Sequence, residues 1–128
     1  MQTPKPRILI VADGDGDPSQ PSAVLDHSIY EVKTAKTIAE GLKVARSEPF
    51  SLYLLHMSLP NGTGADLSLQ IRSFDLETPI LFLTDGIDEA DWQAAKGAGA
   101  QGYLIAPGGI DDLGEAVARL LKKANRPS

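Results

Sequence analysis

At the centre of the chain, residues 51–64 have the sequence Ser51-Leu52-Tyr53-Leu54-Leu55-His56-Met57-Ser58-Leu59-Pro60-Asn61-Gly62-Thr63-Gly64. A short apolar run ends at the polar residue His56, and a loop rich in Pro, Asn and Gly follows it. This pattern predicts a central buried strand of a parallel α/β sheet, with His56 at the carboxyl edge. Open parallel sheets place their sites at that edge, so His56 is the first candidate functional residue. Gly62 and Gly64 are expected to serve loop conformations that are open only to glycine.

Strands and helices alternate on both sides of this centre. Apolar or alternating runs predict strands at residues 7–12, 29–34, 51–56, 79–84 and 102–105. Helical patterns are found at residues 19–27, between Thr37 and Pro49, at 65–73, at 88–98 and from Asp111 onward. Thr37 is predicted to cap the second helix, with Glu40 completing a capping box. Repeated strand–helix units with short loops predict an α/β fold, a five-stranded parallel sheet that is doubly wound, with helices on both faces.

The composition excludes several classes of protein. The 128 residues are 42% hydrophobic and 23% charged, which predicts a single domain at residues 1–124 and a C-terminal tail or start of a linker at 125–128. The chain has no cysteine, which excludes disulfides and thiolate chemistry. Its net charge of −5 disfavours nucleic-acid binding. No apolar run approaches the ~20 residues that span a bilayer, and no signal peptide begins the chain, so we expect a cytoplasmic protein without a membrane partner.

Six segments, taken in order, resemble the receiver domain of response regulators. These segments are residues 8–13, 30–32, 52–64, 79–84, 99–104 and Pro107. Together they extend over nearly the whole chain at the spacing of that family. The resemblance implies a flavodoxin-like (βα)5 fold with strand order 2-1-3-4-5 and a role in two-component signal transduction.

In receiver domains, a carboxylate accepts a phosphoryl group while two further acids hold Mg²⁺. A lysine and a hydroxyl group bind the remaining phosphoryl oxygens. His56 stands at the acceptor position, where the family has aspartate. The family's acidic pair at the end of the first strand corresponds here to Ala12 and Asp13, so one acid remains. The resemblance therefore implies an altered phosphoacceptor site.

The other matching positions combine retained and lost groups. Thr84 retains the hydroxyl group, and Tyr103 retains the aromatic switch residue of the fifth strand. Ala106 replaces the lysine, whereas Pro107 retains the proline that follows it. Asp85 introduces an acid where the family usually has a small residue. The site thus lacks the cation that would pair with a phosphoryl oxygen, and it gains an anion.

Magnesium binding is expected to be weak or absent. The remaining oxygen ligands would be Asp13 and the carbonyl group of Ser58, which are too few for a hard cation. The chain is therefore identified as a degenerate receiver, or pseudo-receiver, that is not phosphorylated in the conventional way. We expect no catalytic residue, no enzymatic activity, no cofactor and no bound metal.

Other interpretations of His56 stay open. Imidazole can form a phosphoramidate, which would make the chain a phosphorelay receiver with unorthodox acceptor chemistry. His56, Asp13 and Asp85 also have the ligand types of a transition-metal site. In a simpler interpretation, His56 hydrogen-bonds Asp13 and replaces the lost metal and lysine. Because histidine titrates near neutrality, this arrangement would also make His56 a pH sensor.

The predicted partners are proteins. We expect phosphorylation-independent signalling through the output face, defined here as the predicted helix at 88–98, the strand at 102–105 and the final helix. Trp92 lies on the first of these elements and is a candidate interface anchor. The resemblance implies a histidine kinase or an output domain as partner, and a homodimer through the output face.

Overall fold

A computed structural model of the chain describes residues 5–12, 28–56, 58–59, 62–75, 77–84, 93, 97, 102–105 and 113–124. The strands are β1 (Arg7–Val11), β2 (Glu31–Ala35), β3 (Leu52–His56), β4 (Ser58–Leu59), β5 (Gly62–Thr63), β6 (Ile80–Thr84) and β7 (Gly102–Ile105). The helices are α1 (Ile38–Ser47), α2 (Gly64–Arg72) and α3 (Leu113–Ala124). The predicted helix at 19–27 and the tail at 125–128 lie outside the described residues. Of the predicted helix at 88–98, Gln93 and Gly97 are described, and both are helical.

The main sheet has the order β2-β1-β3-β6-β7. Each neighbouring pair of strands is parallel, so the carboxyl ends of all these strands lie at one edge. Continuous apolar sequence makes β1 and β3 the buried interior of the sheet, whereas β2 at its edge exposes most of its side chains. The predicted α/β fold with a parallel sheet is confirmed.

Helices cover both faces of this sheet. Successive side chains of a strand point to opposite faces, and β1 shows the consequence. Leu9 and Val11 belong to the apolar core that includes residues of α1 and α2. Ile8 and Ile10 belong to a second core, which Val117 of α3 completes on the opposite face. Two apolar cores therefore hold the sheet between its helices.

Ion pairs tie β1, β2 and the end of α1 together at the amino edge of the sheet. The Nε atom of Arg7 lies 3.1 Å from a carboxylate oxygen of Glu31, and its guanidinium group also pairs with Glu48. Lys33 contacts the same Glu48 carboxylate at 2.8 Å. The guanidinium of Arg7 stands 5.5 Å from the ring centre of Phe50. These contacts fix the edge opposite His56.

Helix α1 begins at the predicted cap, but half of the predicted capping box is wrong. The Thr37 hydroxyl accepts a hydrogen bond from the backbone N–H of Glu40 at 3.1 Å, as expected. The carboxylate of Glu40 accepts from the N–H of Lys36 at 3.5 Å and not from that of Thr37. The exposed Glu40 side chain therefore reaches one residue further back than the motif requires.

Within the described part of the chain, no helix is both long enough and apolar enough to cross a membrane.

Candidate functional site

The carboxyl edge of the sheet brings three of the predicted site positions together. His56 is the last residue of β3, and its side chain is half-buried. It stands in register with Leu83 of β6, so Thr84 lies one residue further along at the same edge. The register of β1 on β3 places Ala12 at the level of His56. His56 thus lies at the centre of this edge, level with Ala12 on one side and one residue before the level of Thr84 on the other.

The last strand continues this edge. Thr84 of β6 stands in register with Ile105 of β7, and Tyr103 stands in register with Phe82. Ser58 is the first residue of β4, two residues after His56. The remaining predicted site residues lie outside the described part of the chain, and their roles stay predictions: Asp13, Asp85, Trp92, Ala106 and Pro107.

A metal site is not present among the described residues. No group of three or more His, Cys, Asp or Glu side chains comes together there. The transition-metal site considered in the sequence analysis would use His56, Asp13 and Asp85 as ligands. Both aspartates lie outside the described residues. That alternative therefore also stays a prediction.

The loop that follows His56 forms a small hairpin, which the sequence did not predict. Strands β4 and β5 pair in an antiparallel arrangement, with Ser58 opposite Thr63 and Leu59 opposite Gly62. The side chain of Leu59 is buried in the core shared with α1 and α2. The hairpin is therefore anchored to the protein interior directly beside the candidate site.

A capping box joins this hairpin to α2. The hydroxyl group of Thr63 accepts from the backbone N–H of Asp66 at 3.1 Å. In return, the carboxylate of Asp66 accepts from the N–H of Thr63 at 3.2 Å. Two backbone donors that a helix start leaves unpaired are thereby satisfied. The sequence signal was Thr63 with an acid three residues later, but the acid is Asp where the usual motif has Glu or Gln.

Two glycines set the approach of this segment to its neighbours. Gly62 has a φ of 155°, so it adopts a conformation that favours glycine, as predicted. The same prediction is wrong for Gly64, which has no positive φ and is the first residue of α2. Its requirement is one of space. A Cβ atom on Gly64 would lie 2.5 Å from the carbonyl oxygen of His56 and 3.0 Å from the ring of Phe82. The start of α2 therefore rests directly on the backbone of the candidate site.

The cap at Thr63 leads to a first prediction. The Thr63→Val variant keeps the shape of the side chain but removes the acceptor for the N–H of Asp66. We expect the free energy of unfolding to fall by about 1 kcal/mol, measured by urea denaturation. Ser73→Ala serves as control, because it removes a hydroxyl that donates to the carbonyl of Gln70 at the exposed end of α2. The control should change stability by less than about 0.5 kcal/mol, and equal losses in both variants would contradict a special role for the cap.

Comparison with known proteins identifies relatives of this arrangement. A family model described as the response regulator receiver domain matches residues 8–118. The chain is 32% identical over 116 residues to the response regulator ArlR of Staphylococcus epidermidis, which covers 91% of this chain and 52% of that protein. It is 30% identical over 117 residues to ArlR of Staphylococcus aureus, covering 91% of this chain and 53% of that one. The chain thus spans about half the length of these curated relatives.

Solved structures of similar proteins have the same fold as this chain. A CheY-like receiver domain protein from Methanospirillum hungatei superposes with a TM-score of 0.86 at 27% identity, covering 94% of this chain and 97% of that one. A response regulator structure from Chloroflexus aurantiacus gives a TM-score of 0.83 at 29% identity, covering 92% of this chain and 98% of that one. The flavodoxin-like architecture and the matched residues lead to one conclusion: this chain belongs to the response regulator receiver domain family.

Proposed function

We propose that this chain is an atypical receiver domain that signals without conventional aspartyl phosphorylation. The observation that carries the proposal is the position of His56. It occupies the last, half-buried position of the central strand β3, where the sequence resemblance aligns the family's acceptor aspartate. A neutral imidazole offers one nitrogen acceptor in place of two carboxylate oxygens. An imidazole group cannot form the acyl phosphate that an aspartate would form.

The donor set at this edge does not fit magnesium. Mg²⁺ requires oxygen ligands in near-octahedral geometry. His56 contributes nitrogen, and Ala12 contributes only a methyl group where the family has one of its acids. Asp13 and the carbonyl group of Ser58 would be left as protein ligands. With Ala106 in place of the lysine, the site also lacks a permanent cation for a phosphoryl oxygen. We therefore propose that no cofactor is needed.

Protein contact is the proposed mode of action. Family membership suggests a histidine kinase or an output domain as partner, and the output face is the proposed contact surface. Part of that face is β7 and α3, where Glu115 and Arg119 form an exposed ion pair on the helix at 3.3 Å. Trp92 is the proposed anchor residue of this contact surface. We also propose that the chain forms a homodimer through the same face. The proposed domain spans residues 1–124, followed by a tail or linker, and its proposed location is the cytoplasm.

Phosphoryl-donor labelling tests the proposal. The protein is incubated with Mg²⁺ and acetyl phosphate or phosphoramidate, and its intact mass is measured. We expect no phosphoryl adduct on the natural chain. A variant that combines His56→Asp, Ala12→Asp and Ala106→Lys restores the family's groups, and it should gain one phosphoryl group.

The other outcomes separate the alternatives. An adduct on the natural chain that is absent from His56→Ala would make His56 the acceptor and overturn the proposal. Melting temperatures measured with and without Zn²⁺ test the metal-site alternative, because a metal that binds the folded state raises stability. An NMR titration of the His56 ring between about pH 5 and 8 tests the pH-sensor alternative, and a flat curve would remove it.

A further inference from the structure

We infer that residue 56 is mechanically coupled to the start of α1 through the β4–β5 hairpin, with Gly64 and Gly62 as the positioning residues. The coupling does not depend on the proposed function, because it holds whether or not the chain accepts a phosphoryl group. Its route lies on the α1 and α2 side of the sheet and does not include the output face.

The first contact of the route joins His56 to α2. Only the absence of a side chain on Gly64 allows the first turn of α2 to sit on the carbonyl group of His56, at the distances given above. Gly64 is buried, so no solvent-filled gap separates the two segments. Closely packed interiors have low compressibility and transmit strain. A shift of the β3 end must therefore move the first turn of α2 or open a void.

The second step passes from α2 into the hairpin. The reciprocal hydrogen bonds between Thr63 and Asp66 hold the last residue of β5 to the first turn of α2. The hydrogen-bonded pairing of β4 with β5 and the buried side chain of Leu59 hold the two strands of the hairpin together. The first turn of α2 and the hairpin are therefore expected to move together.

The third contact joins the hairpin to α1. A Cβ atom on Gly62 would lie 2.8 Å from the Cδ1 atom of Ile38 and 3.0 Å from a carboxylate oxygen of Asp66. Ile38 is the first residue of α1 and packs against the core shared by both helices. A displacement of the hairpin therefore reaches the first turn of α1, where the side chains of Ala39 and Glu40 are exposed.

Methyl NMR on the full chain tests this coupling at Ile38. The Cδ1 methyl groups of isoleucine are labelled, and the response is defined as the shift difference of Ile38 between His56→Asp and His56→Gln. Neither variant has an aromatic ring at position 56, so the loss of the His56 ring current affects both variants equally and cancels in the difference. Ile10, which belongs to the core on the opposite face of the sheet, is the reference. We expect a response at Ile38 that exceeds the response at Ile10.

A second set of variants separates the route from a direct electric field. The two substitutions at position 56 are repeated in the Thr63→Val background, where the capping box is broken. The response at Ile38 should fall by about half or more, since coupled sites give non-additive effects. The same pair in the Ser73→Ala background should keep the full response. An undiminished response with Thr63→Val, or a response at Ile38 no larger than that at Ile10, would overturn the inference.

Discussion

The Gly64→Ala variant is expected to lose about 3 kcal/mol of unfolding free energy. The new Cβ atom would lie 2.5 Å from the carbonyl oxygen of His56, which belongs to the central strand of the sheet. Backbone atoms of a strand cannot turn away as a flexible side chain can, so α2 must move or β3 must bend. Either movement disturbs the core that α1 and α2 share with the sheet.

Two other glycines supply matched comparisons for Gly64. A Cβ atom on Gly41 of α1 would lie 2.8 Å from a methyl group of Val11, which is a side-chain atom. Gly41→Ala should therefore cost less than Gly64→Ala. A Cβ atom on Gly114 of α3 meets nothing within 4 Å among the described residues, so Gly114→Ala should be neutral or stabilising by up to about 1 kcal/mol.

Urea denaturation of the three alanine variants gives the required values. The expected order of destabilisation is Gly64, then Gly41, then Gly114. If Gly64→Ala costs no more than Gly41→Ala, the close contact with His56 is not a constraint. In that event the first step of the coupling to α1 would also lose its physical basis.

The buried strands were the most predictable part of this fold. Residues 7–12, 51–56 and 79–84 were predicted as strands, and β1, β3 and β6 agree within one residue at each end. Continuous apolar runs bounded by polar or turn-forming residues leave little choice when both faces of a strand are buried. The parallel arrangement followed from the alternation of these runs with helical patterns.

The hairpin and the caps were harder to predict. Strands β4 and β5 have two residues each, which is too short to show any hydrophobic period. The capping box was assigned to Thr37 and Glu40, whereas the reciprocal pair is formed by Thr63 and Asp66. Both sites have a suitable hydroxyl and an acid three residues later. The sequence alone does not show which carboxylate turns back to its own cap.

The candidate site was predictable as a place but not as a set of contacts. The end of β3 could be located because an apolar run stops at His56, and the end of β6 because another stops at Thr84. The packing of Gly64 on His56 and of Gly62 on Ile38 could not be predicted, because the residues in each pair are separated in the sequence. Such contacts depend on how closely two backbones approach, which residue type permits but does not specify. The chemical roles assigned to Asp13, Asp85, Tyr103 and Ala106 stay predictions.

The largest polar contribution outside the candidate site is expected from Asp75, which follows α2. Its carboxylate accepts four hydrogen bonds: from the hydroxyl of Tyr53 at 3.1 Å, the N–H of Glu77 at 3.1 Å, the N–H of Thr78 at 3.0 Å and the hydroxyl of Thr78 at 2.6 Å. The side chain of Tyr53 on β3 is only 1% exposed. Removing the carboxylate would leave a buried hydroxyl donor without its partner.

We therefore expect Asp75→Ala to lower the free energy of unfolding by about 3 kcal/mol at pH 7. Tyr53→Phe removes only one of the four bonds and should cost about 1 kcal/mol. In the double variant the two losses should not add, because both substitutions remove the same bond. Urea denaturation of the two single variants and the double variant measures all three values.

The pH dependence provides a second, independent check of Asp75. Partial burial raises the pKa of this carboxyl group, but hydrogen bonds from Thr78, Glu77 and Tyr53 together outweigh burial and bring the pKa below its ordinary value. A carboxyl group with a lowered pKa in the folded state stabilises the protein above its unfolded pKa, and it loses that contribution as the pH falls through the folded value. The loss begins at about pH 4 and continues below it.

The stability difference between the natural chain and Asp75→Ala should therefore narrow as the pH is lowered from 7 through about 4 and below. It should not close, because a protonated carboxyl group still accepts hydrogen bonds at one oxygen. Ser73→Ala is the control, because it removes an exposed hydroxyl group and no titratable group, so its stability difference from the natural chain should not change with pH. Two results would show that the four bonds do not act through the ionised carboxylate. One is a stability difference for Asp75→Ala that stays constant from pH 7 to about pH 3. The other is a loss of unfolding free energy in Tyr53→Phe as large as that in Asp75→Ala.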